Sequence, residues 1–532
     1  MSASSVPETP GDTWKSDLLA GFLVFLLALP LSLGIAMASG FPPIAGVLTA
    51  IVGGVLVTWL GSAPLTIKGP AAGLIVITLG AVTELGGDDV ALGYRRALAV
   101  GVLAAGVQVV MALAKAGKLG DFFPSNVVHG MLAAIGVIIV SKQIHITMGV
   151  NPHGKEPLEL LAEVPESIFN ANPEVFLIGA LALLILFVMP HLPGRLKKIP
   201  APLVVLALAI PLELYFHFGT EHEYQFNGEV YRVGPTFLVQ LPGNVLDALT
   251  LPDFSQVFSP VSLKYVVMYA LVGSVESLLS VKAVDQLDPA KRESDLNKDL
   301  LATGIGNLVC ALIGGLPMIS EIVRSSANIN AGAKSRLANF FHGMFLLIFV
   351  VALPFVLTQI PLAALAGMLV YTGFRLASPR EFSHMYKLGR DQLTIFLTTF
   401  VVTLATDLLI GVAVGIVVKL VMHLFNGAPA KNLFKADIVT RDVDDKTRRL
   451  EIRGAAVFSN FLGIKKHLEK AREEGKALIL DLSEARLVDH TVLEKLHYLI
   501  NEGRAIKLEG LEHHRRLSDH SLATRRQQRS AS

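Results

Sequence analysis

The sequence predicts a polytopic α-helical membrane protein, with fourteen spans in two inverted sets of seven, followed by a small cytosolic α/β domain. Composition is the first observation behind this prediction: the 532 residues are 52% hydrophobic and only 17% charged, whereas charged residues make up roughly a quarter of a soluble chain. The second is that apolar stretches long enough to cross a bilayer recur from Asp17 to Phe425. A soluble enzyme of this length is therefore excluded. Neither the formal net charge of +2 nor any basic-aromatic pattern indicates a nucleic-acid partner.

The apolar stretches divide into two sets of seven, which together make a transport domain of residues 17–425 after a polar N-terminal tail of residues 1–16. The first set comprises residues 17–39, 44–60, 70–84, 96–115, 127–146, 173–192 and 201–218. The second set comprises residues 262–284, 298–315, 317–329, 337–358, 361–377, 391–406 and 408–425. Because seven is odd, the second set is inverted relative to the first, which places a pseudo-two-fold axis in the membrane plane.

The third span of each set is short and follows a break rich in glycine and proline. Residues 66–73 (TIKGPAAG) run into residues 74–81, and residues 314–320 (GGLPMIS) run into residues 321–329. Each break leaves about ten residues that can be helical, too few to cross a bilayer. Two half-helices that begin inside the membrane direct unpaired N–H groups and positive dipole ends at the midplane, which favours an anion. Corresponding breaks in two halves indicate the central binding site of a transporter.

Lysine and arginine are concentrated in the loops on one side of the predicted membrane. These residues are Lys115, Lys118, Arg195, Lys197, Lys198, Lys334, Arg336, Arg375, Arg380, Lys387 and Arg390. Loops on the other side carry carboxylates, such as those of Asp88, Glu156 and Glu221. By the positive-inside rule, both termini lie in the cytoplasm. We therefore expect a multi-pass protein of the inner or plasma membrane.

The character of the chain changes after residues 426–429 (NGAP). Residues 450–453, 477–482 and 505–508 are predicted strands, and residues 462–474 and 491–502 are predicted amphipathic helices. Together they predict a small cytosolic α/β domain over residues 430–510. Residues 511–532 form a basic, polar tail, which we expect to be mobile.

Five separate stretches of the transport domain resemble signature sequences of one family. They are PLSLGIA (30–36), ASGFPP (38–43), KGP (68–70), VESLLS (275–280) and RSSANI (324–329). They resemble those of the SulP (SLC26) anion transporters, and residues 430–510 resemble the STAS domain of that family. The resemblance implies fourteen spans in the inverted seven-plus-seven fold, a core domain that moves against a gate domain, and often a homodimer. It also implies an inorganic anion substrate, since known family substrates include sulfate, bicarbonate, chloride, oxalate and dicarboxylates.

The sequence departs from the family pattern at two places. The family commonly has Pro-x-Thr-Gly-Ala/Ser-Ile-Ala/Ser-Arg where this chain has residues 317–324, PMISEIVR. Ile319 and Ser320 replace the threonine and glycine, and Glu321 replaces a small residue, which puts the usual side-chain ligands in doubt. In the STAS-like region, residues 489–492 (DHTV) lack the usual glycine, which weakens any expectation of phosphorylation at Thr491.

Glu276 is the leading candidate for binding a coupling ion. It lies inside an apolar span, where an ionisable group costs about 2.5 kcal/mol or more and is functional by default. Ser280 follows four residues later and shares its helix face. The resemblance places an acidic residue here near the substrate, and we expect Glu276 to bind Na⁺ with Ser280 or to carry a proton. Alternatively, Glu276 is paired with a positive group for helix packing.

Arg324 resembles the arginine that the family places near the anion. A planar guanidinium can engage two oxygens of an oxyanion together. Alternatively, Arg324 forms an ion pair with Glu321, since residues three apart meet on one helix face. Such a pair would cancel the local charge and leave anion binding to backbone N–H groups. Glu321 is also a candidate coupling-ion residue, because two acids and one arginine at one site favour cation coupling.

The backbone around Ala71, Ala72, Ile319 and Ser320 is the other candidate for contacting the anion. Small side chains at residues 71–73 allow a ligand to approach the amides, although close helix packing uses small residues equally well. Lys68 is either a charge near the site or a snorkelling side chain. Asn328 hydrogen-bonds either within the site or between helices.

These features predict a secondary active transporter of an inorganic anion, bicarbonate or sulfate, coupled to Na⁺ or H⁺. A small planar anion suits an amide-lined site, which slightly favours bicarbonate. The alternatives are a nucleobase permease of the same architecture, an uncoupled anion channel or exchanger, and a regulatory protein that works through its cytosolic domain. We expect no cofactor and no metal, and the sequence has no nucleotide-binding Walker pattern. The expected partners are the anion, the coupling ion, the lipid bilayer and a second copy of the chain.

Overall fold

A computed structural model describes residues 13–117, 124–154, 156–193, 199–240, 248–290, 292–406, 408–501 and 505–528. The chain forms two compact units, of which the first comprises residues 1–117 and 135–375 and the second residues 118–134 and 376–532. Several residues used to predict the orientation lie outside the described residues: Lys118, Arg195, Lys197 and Lys198.

The first unit is built of helices that follow the predicted spans closely. Those of the first half are α1 (Trp14–Ala38), α2 (Pro43–Val52), α3 (Thr58–Leu60), α4 (Ile75–Gly86), α5 (Val90–Leu113), α6 (Ser125–Thr147), α7 (Pro157–Phe169), α8 (Pro173–Val188) and α9 (Ala201–Phe216). Those of the second half are α10 (Pro260–Leu287), α11 (Leu296–Ile313), α12 (Ile322–Asn330), α13 (Leu337–Ala352), α14 (Pro354–Leu357) and α15 (Leu362–Leu376). Its strands are β1 (Ile67–Pro70), β2 (His222–Phe226), β3 (Glu229–Val233) and β4 (Met318–Glu321). The first ten residues of α6 belong to the second unit.

Among the described residues of both units, nine helices are long and apolar enough to cross a membrane. Three shorter apolar helices, residues 72–86, 201–216 and 337–352, coincide with further predicted spans. The prediction of a helical membrane protein is thus confirmed, while the total of fourteen spans stays a prediction. Helix α7 and the antiparallel hairpin of β2 and β3 were not predicted.

Local sequence signals set the helix ends. The side chains of Asp89, Ser259 and Asp295 each accept a hydrogen bond from a backbone N–H in the first turn of the helix that follows. Gly314 ends α11 with a φ of +98°, a conformation that favours glycine. The chain thereby turns sharply between α11 and β4.

Glycines allow two helices to cross closely near the middle of the unit. A β-carbon at Gly54, in the π-helical segment Gly53–Val57 that joins α2 to α3, would lie 2.5 Å from the Cα of Gly343 on α13. No larger residue fits at this crossing without moving one backbone. The crossing places α13 against the segment that leads into β1.

The second unit joins two membrane helices to the sheet domain. Its helices are α16 (Pro379–Leu388), α17 (Arg390–Ala405), α18 (Leu408–Phe425), α19 (Phe461–Glu473) and α20 (His490–Asn501). Its strands are β5 (Asp437–Asp444), β6 (Thr447–Ala456), β7 (Ala477–Asp481), β8 (Ala485–Val488), β9 (Ile506–Glu509), β10 (His514–Arg516) and β11 (Arg525–Gln527). They form one sheet in the order β10-β11-β8-β6-β7-β9, with β5 also paired to β6. The predicted strands correspond to β6, β7 and β9 and the predicted helices to α19 and α20, which confirms a domain that contains a sheet, whereas β5, β8, β10 and β11 were not predicted.

The expectation of a mobile C-terminal tail was wrong for residues 511–528. Strands β10 and β11 extend the sheet beyond β8 by antiparallel pairing. His514 is buried, and its two ring nitrogens lie 2.9 and 2.5 Å from the carbonyl oxygens of Gly510 and Ala485. These polar contacts, together with the packing of Leu511 and Leu522 against the core of the sheet domain, hold the segment in place.

Two side chains of α18 connect this membrane helix to the sheet domain within the second unit. The Lys419 ammonium donates to Thr491 Oγ1 at 2.7 Å and lies 3.5 Å from a carboxylate oxygen of Asp489. His423 Nε2 lies 3.3 Å from the same oxygen. Thr491 is fully buried in this contact, which argues further against its phosphorylation. The second unit therefore includes residues on both sides of residues 426–429.

Candidate functional site

The two breaks predicted from the sequence form a two-stranded antiparallel ribbon in the middle of the first unit. β1 pairs with β4 so that Ile67 faces Glu321, Lys68 faces Ser320, Gly69 faces Ile319 and Pro70 faces Met318. All eight residues are buried. The sequence predicted half-helices from residues 74 and 321, and α4 and α12 begin at residues 75 and 322. The wider span 317–329 was wrong at its start, because β4 takes up residues 318–321, whereas the span 70–84 begins two residues before the helical segment 72–86.

Polar side chains from the surrounding helices satisfy the backbone of the ribbon. Met318 N–H donates to Asn307 Oδ1 at 2.6 Å, and Ile67 N–H donates to Ser325 Oγ at 2.8 Å. Asn328 Nδ2 donates to the Leu65 carbonyl at 3.0 Å, so this asparagine bridges elements rather than facing an open site. Non-helical backbone at membrane depth is tolerated only when its polar groups find such partners. The polar residues that the sequence places around the ribbon therefore stabilise it.

Lys68 lies in a buried ion pair that sequence reasoning missed. Its ammonium is 2.5 Å from Asp299 Oδ2 on α11 and 2.5 Å from Ser320 Oγ. Lys68 and Asp299 are 3% and 1% exposed, so Lys68 does not snorkel to the interface. Asp299 lies inside a predicted span, and an ionisable residue at that depth was a signal that could have found it.

Two carboxylates face the first turn of the half-helix that follows β1. Glu276, on α10, interacts with the backbone N–H of Gly73, and Glu321 interacts with that of Ala72. A β-carbon at Gly73 would overlap both carboxylate oxygens of Glu276. One oxygen of each carboxylate is buried without a hydrogen-bond partner in the described part of the chain. These unpaired oxygens are available to a proton or a cation.

The Arg324 guanidinium is 1% exposed and only partly satisfied. Its Nη1 donates to Ser32 Oγ on α1 at 3.3 Å and packs so closely on Gly69 that a β-carbon there would overlap it. Its Nε and Nη2 have no partner among the described residues. These two nitrogens lie on one edge of the planar group, the arrangement that binds two oxygens of an oxyanion. Arg324 and Glu321 form no salt bridge with each other, in contrast to the alternative prediction of a direct ion pair.

The chain is similar to known proteins in sequence and in fold. Its residues 14–399 match the sequence profile of the Sulfate permease family. The chain belongs to this family. YvdB of Bacillus subtilis is 28% identical over 381 residues, which cover 70% of this chain and 67% of YvdB. The bicarbonate transporter BicA of a Picosynechococcus species is 26% identical over 362 residues, which cover 68% of this chain and 61% of BicA.

Solved structures of this family have the same fold. The transmembrane domain of a cyanobacterial bicarbonate transporter BicA matches with a TM-score of 0.62 and 26% identity, covering 76% of this chain and 99% of that domain. The murine anion transporter SLC26A9 in the inward-facing state matches with a TM-score of 0.66 and 15% identity, covering 94% of this chain and 86% of that one. The second likeness concerns the fold alone. The predicted membership of the SulP (SLC26) family is confirmed, and with it the conclusion that the chain is a transporter and not an enzyme.

In this family member, the ribbon brings most of the predicted site residues together. Glu276 lies against Gly73 just before α4, Arg324 lies against Gly69 in β1, and Glu321 faces Ile67 in the ribbon, while Ser280 is buried one turn after Glu276 on α10. Other predicted anion ligands already have protein partners: Ala71 N–H donates to the Pro317 carbonyl at 3.2 Å, and Ser320 N–H donates to Ser277 Oγ at 3.1 Å. Ala71, Ile319 and Ser320 thus form part of the ribbon framework, and their contact with an anion stays a prediction.

The charges around the ribbon do not balance. Five ionisable side chains surround it: Lys68, Asp299, Glu276, Glu321 and Arg324. Two are cationic and three are anionic, so the fully charged group is negative before any anion arrives. Burying an uncompensated charge costs several kcal/mol. An anion bound here would add to this negative charge unless a proton or a cation accompanied it.

Proposed function

We propose that the chain is a secondary active transporter that carries an inorganic anion, bicarbonate or sulfate, together with Na⁺ or H⁺. The observation that supports this most directly is that hydrogen-bond donors and acceptors without partners occur together at one buried place. Within the described part of the chain, Arg324 has donors without a partner, whereas Glu276 and Glu321 have acceptors without one. A site that binds only anions would have no use for two unpaired carboxylates.

The anion is proposed to bind between the free edge of Arg324 and the first-turn amides of the two half-helices. Helix N-termini stabilise anions through their unpaired N–H groups and dipoles. We favour bicarbonate over sulfate, because a small planar anion carries less charge into a site already rich in carboxylates. The names of the relatives support both anions, since YvdB is named for sulfate and BicA for bicarbonate.

The coupling ion is proposed to bind at Glu276, with Ser280 completing the site for Na⁺. A carboxylate and a hydroxyl one helical turn apart provide the oxygen ligands that a hard cation prefers. If the coupling ion is a proton, the free oxygen of Glu276 carries it and Ser280 serves only in packing. Glu321 adds the second negative charge that attracts a cation.

Transport is proposed to proceed by alternating access, with the core domain moving against the gate domain around the ribbon. Loop charges favour cytoplasmic positions for both termini in an inner or plasma membrane. We also propose a homodimer, as the family resemblance implies. Membership of the sulfate permease family argues against the nucleobase-permease alternative.

The test is uptake of radiolabelled bicarbonate and sulfate by proteoliposomes that contain the full-length chain. Each anion is offered with no gradient, with an inward Na⁺ gradient and with an inward proton gradient. Uptake of one anion that a cation gradient stimulates would support the proposal. Large uncoupled anion currents would instead support a channel, and uptake of neither anion would refute anion transport.

A further inference from the structure

Glu321 ends β4 immediately before α12, yet its side chain does not cap that helix. It takes an extended backbone conformation at the N-cap position and makes no capping hydrogen bond to the first turn of α12. Its carboxylate interacts instead with the Ala72 N–H, in the first turn of the opposite half-helix. Glu321 is 9% exposed, and its Oε1 is buried without a partner in the described part of the chain.

The group that Glu321 engages is one that the substrate is proposed to use. A carboxylate and a bicarbonate ion present the same chemistry, a planar pair of oxygens that share one negative charge. The Ala72 amide therefore already interacts with an oxyanion that belongs to the protein. The positive charge of Arg324 also acts on this carboxylate. The Nε and Nη2 atoms of Arg324 nevertheless have no hydrogen-bond partner among the described residues.

We propose that the Glu321 carboxylate is a tethered anion that competes with the substrate for the start of α4 until a proton neutralises it. This inference rests on the proposed anion transport. Once protonated, the carboxyl group carries no charge and no longer competes for the Ala72 amide. The amide and the free edge of Arg324 then become available to the substrate together. Proton binding to Glu321 and anion binding thus strengthen each other, as reciprocal linkage requires.

Charged groups on each neighbouring element bear on this equilibrium. Glu276 on α10 repels the ionised form of Glu321, whereas Arg324 on α12 attracts it. Lys68 on β1 is paired with Asp299 on α11, at the opposite face of the ribbon. His342 on α13 is buried near Arg324, with both ring nitrogens unpaired among the described residues.

A proton fits Glu321 better than a metal cation does. The described groups that act on its carboxylate are the Ala72 amide and the Arg324 guanidinium, which are donors, together with the like charge of Glu276. A hard cation needs several oxygen ligands and is repelled by a guanidinium.

The experiment measures the KM of the anion that the unaltered chain takes up, in proteoliposomes, from weakly acidic to weakly alkaline pH. The free concentration of bicarbonate or sulfate is held constant at each pH. The variants are Glu321→Gln, which keeps the shape, and Glu321→Ala, which removes the carboxylate. Glu213→Gln is the matched control, because Glu213 is a buried carboxyl group of α9, outside the ribbon.

In the unaltered chain, KM is expected to rise about tenfold for each pH unit above the midpoint of Glu321 protonation. Both Glu321 variants are expected to lose this rise and to bind the anion more tightly at alkaline pH, whereas Glu213→Gln keeps it. Folded Glu321 variants with the unaltered pH profile, or with weaker anion binding at every pH, would overturn the inference alone. Absence of uptake by the unaltered chain would overturn the proposed function as well.

Discussion

At the scale of single residues, the candidate site contains charged groups whose hydrogen bonding is incomplete among the described residues. Buried polar atoms in folded proteins nearly always find partners. Yet one oxygen each of Glu276 and Glu321, and two nitrogens of Arg324, have none among the described residues. These atoms are close in the fold but do not pair with one another. We therefore expect the donors to bind an anion and the acceptors to bind a cation at the same time.

Replacing Glu276 with glutamine is expected to abolish cation-stimulated uptake. The substitution keeps the size of the side chain but removes the negative charge that balances the coupling ion. The measurement is uptake with and without a cation gradient, beside Glu213→Gln. Gradient stimulation that survives in Glu276→Gln would assign this carboxylate to packing instead.

Replacing Gly73 with alanine is expected to reduce coupled uptake strongly, because the added β-carbon would overlap the Glu276 carboxylate. Gly106→Ala on α5 is the matched control, since a β-carbon there meets no neighbouring atom within 4 Å. The measurement is the initial rate of uptake at equal amounts of reconstituted protein. Equal uptake rates for the two variants would show that coupled uptake does not depend on the close approach of Glu276 to Gly73.

At the scale of elements, the ribbon of β1 and β4 organises the site. It joins the two halves of the transport unit and sets where α4 and α12 begin. The buried pair of Lys68 and Asp299 fastens the ribbon to α11. Such a pair contributes little net stability by itself, but breaking it leaves one buried charge uncompensated.

The single substitution Lys68→Met is expected to destabilise the fold by about 3–5 kcal/mol, since it leaves the Asp299 carboxylate buried alone. Adding Asp299→Leu is expected to restore most of this loss, because an apolar pair of similar volume needs no compensation. The measurement is denaturant unfolding of the purified chain in detergent. A double variant no more stable than Lys68→Met would contradict the role assigned to the pair.

The sequence predicted the helices well and the ribbon poorly, for a physical reason. Hydrophobic length and glycine–proline breaks are local signals, so the starts of α4 and α12 were predicted to within one residue. The pairing of Lys68 with Asp299 joins residues 231 positions apart, and no local pattern encodes such a contact. The same holds for the interactions of Glu321 with Ala72 and of Lys419 with Asp489. Site residues could be named from charge in an apolar span, whereas their partners required the fold.

At the scale of the whole molecule, each of the two units contains membrane helices and its own cluster of buried charged residues. The first holds the ribbon and its charges. The second ties α18 to the sheet domain through Lys419, His423 and Asp489. Burial tends to raise the pKa of Asp489, but the Lys419 charge and the His423 hydrogen bond outweigh it, and the pKa lies well below its usual value.

Because its folded-state pKa is lowered, Asp489 stabilises the second unit at pH values above about 3.9, its pKa in an unfolded chain. This stabilisation is expected to disappear as the pH falls below that value. In Asp489→Asn it is expected to be absent at every pH, while Asp437→Asn, at an exposed carboxylate of β5, keeps it. The measurement is the hydrogen-exchange protection of α20 across pH. Equal protection in Asp489→Asn and the unaltered chain at neutral pH would contradict the contact.

The central claim is that the negative charge around the ribbon makes anion binding depend on a coupled cation. The most direct measurement imposes an inward gradient of the transported anion on proteoliposomes and follows the entry of radiolabelled sodium and of protons. We expect the anion gradient alone to drive one of these cations inward, above its equilibrium level. Anion entry without accumulation of either cation would contradict it.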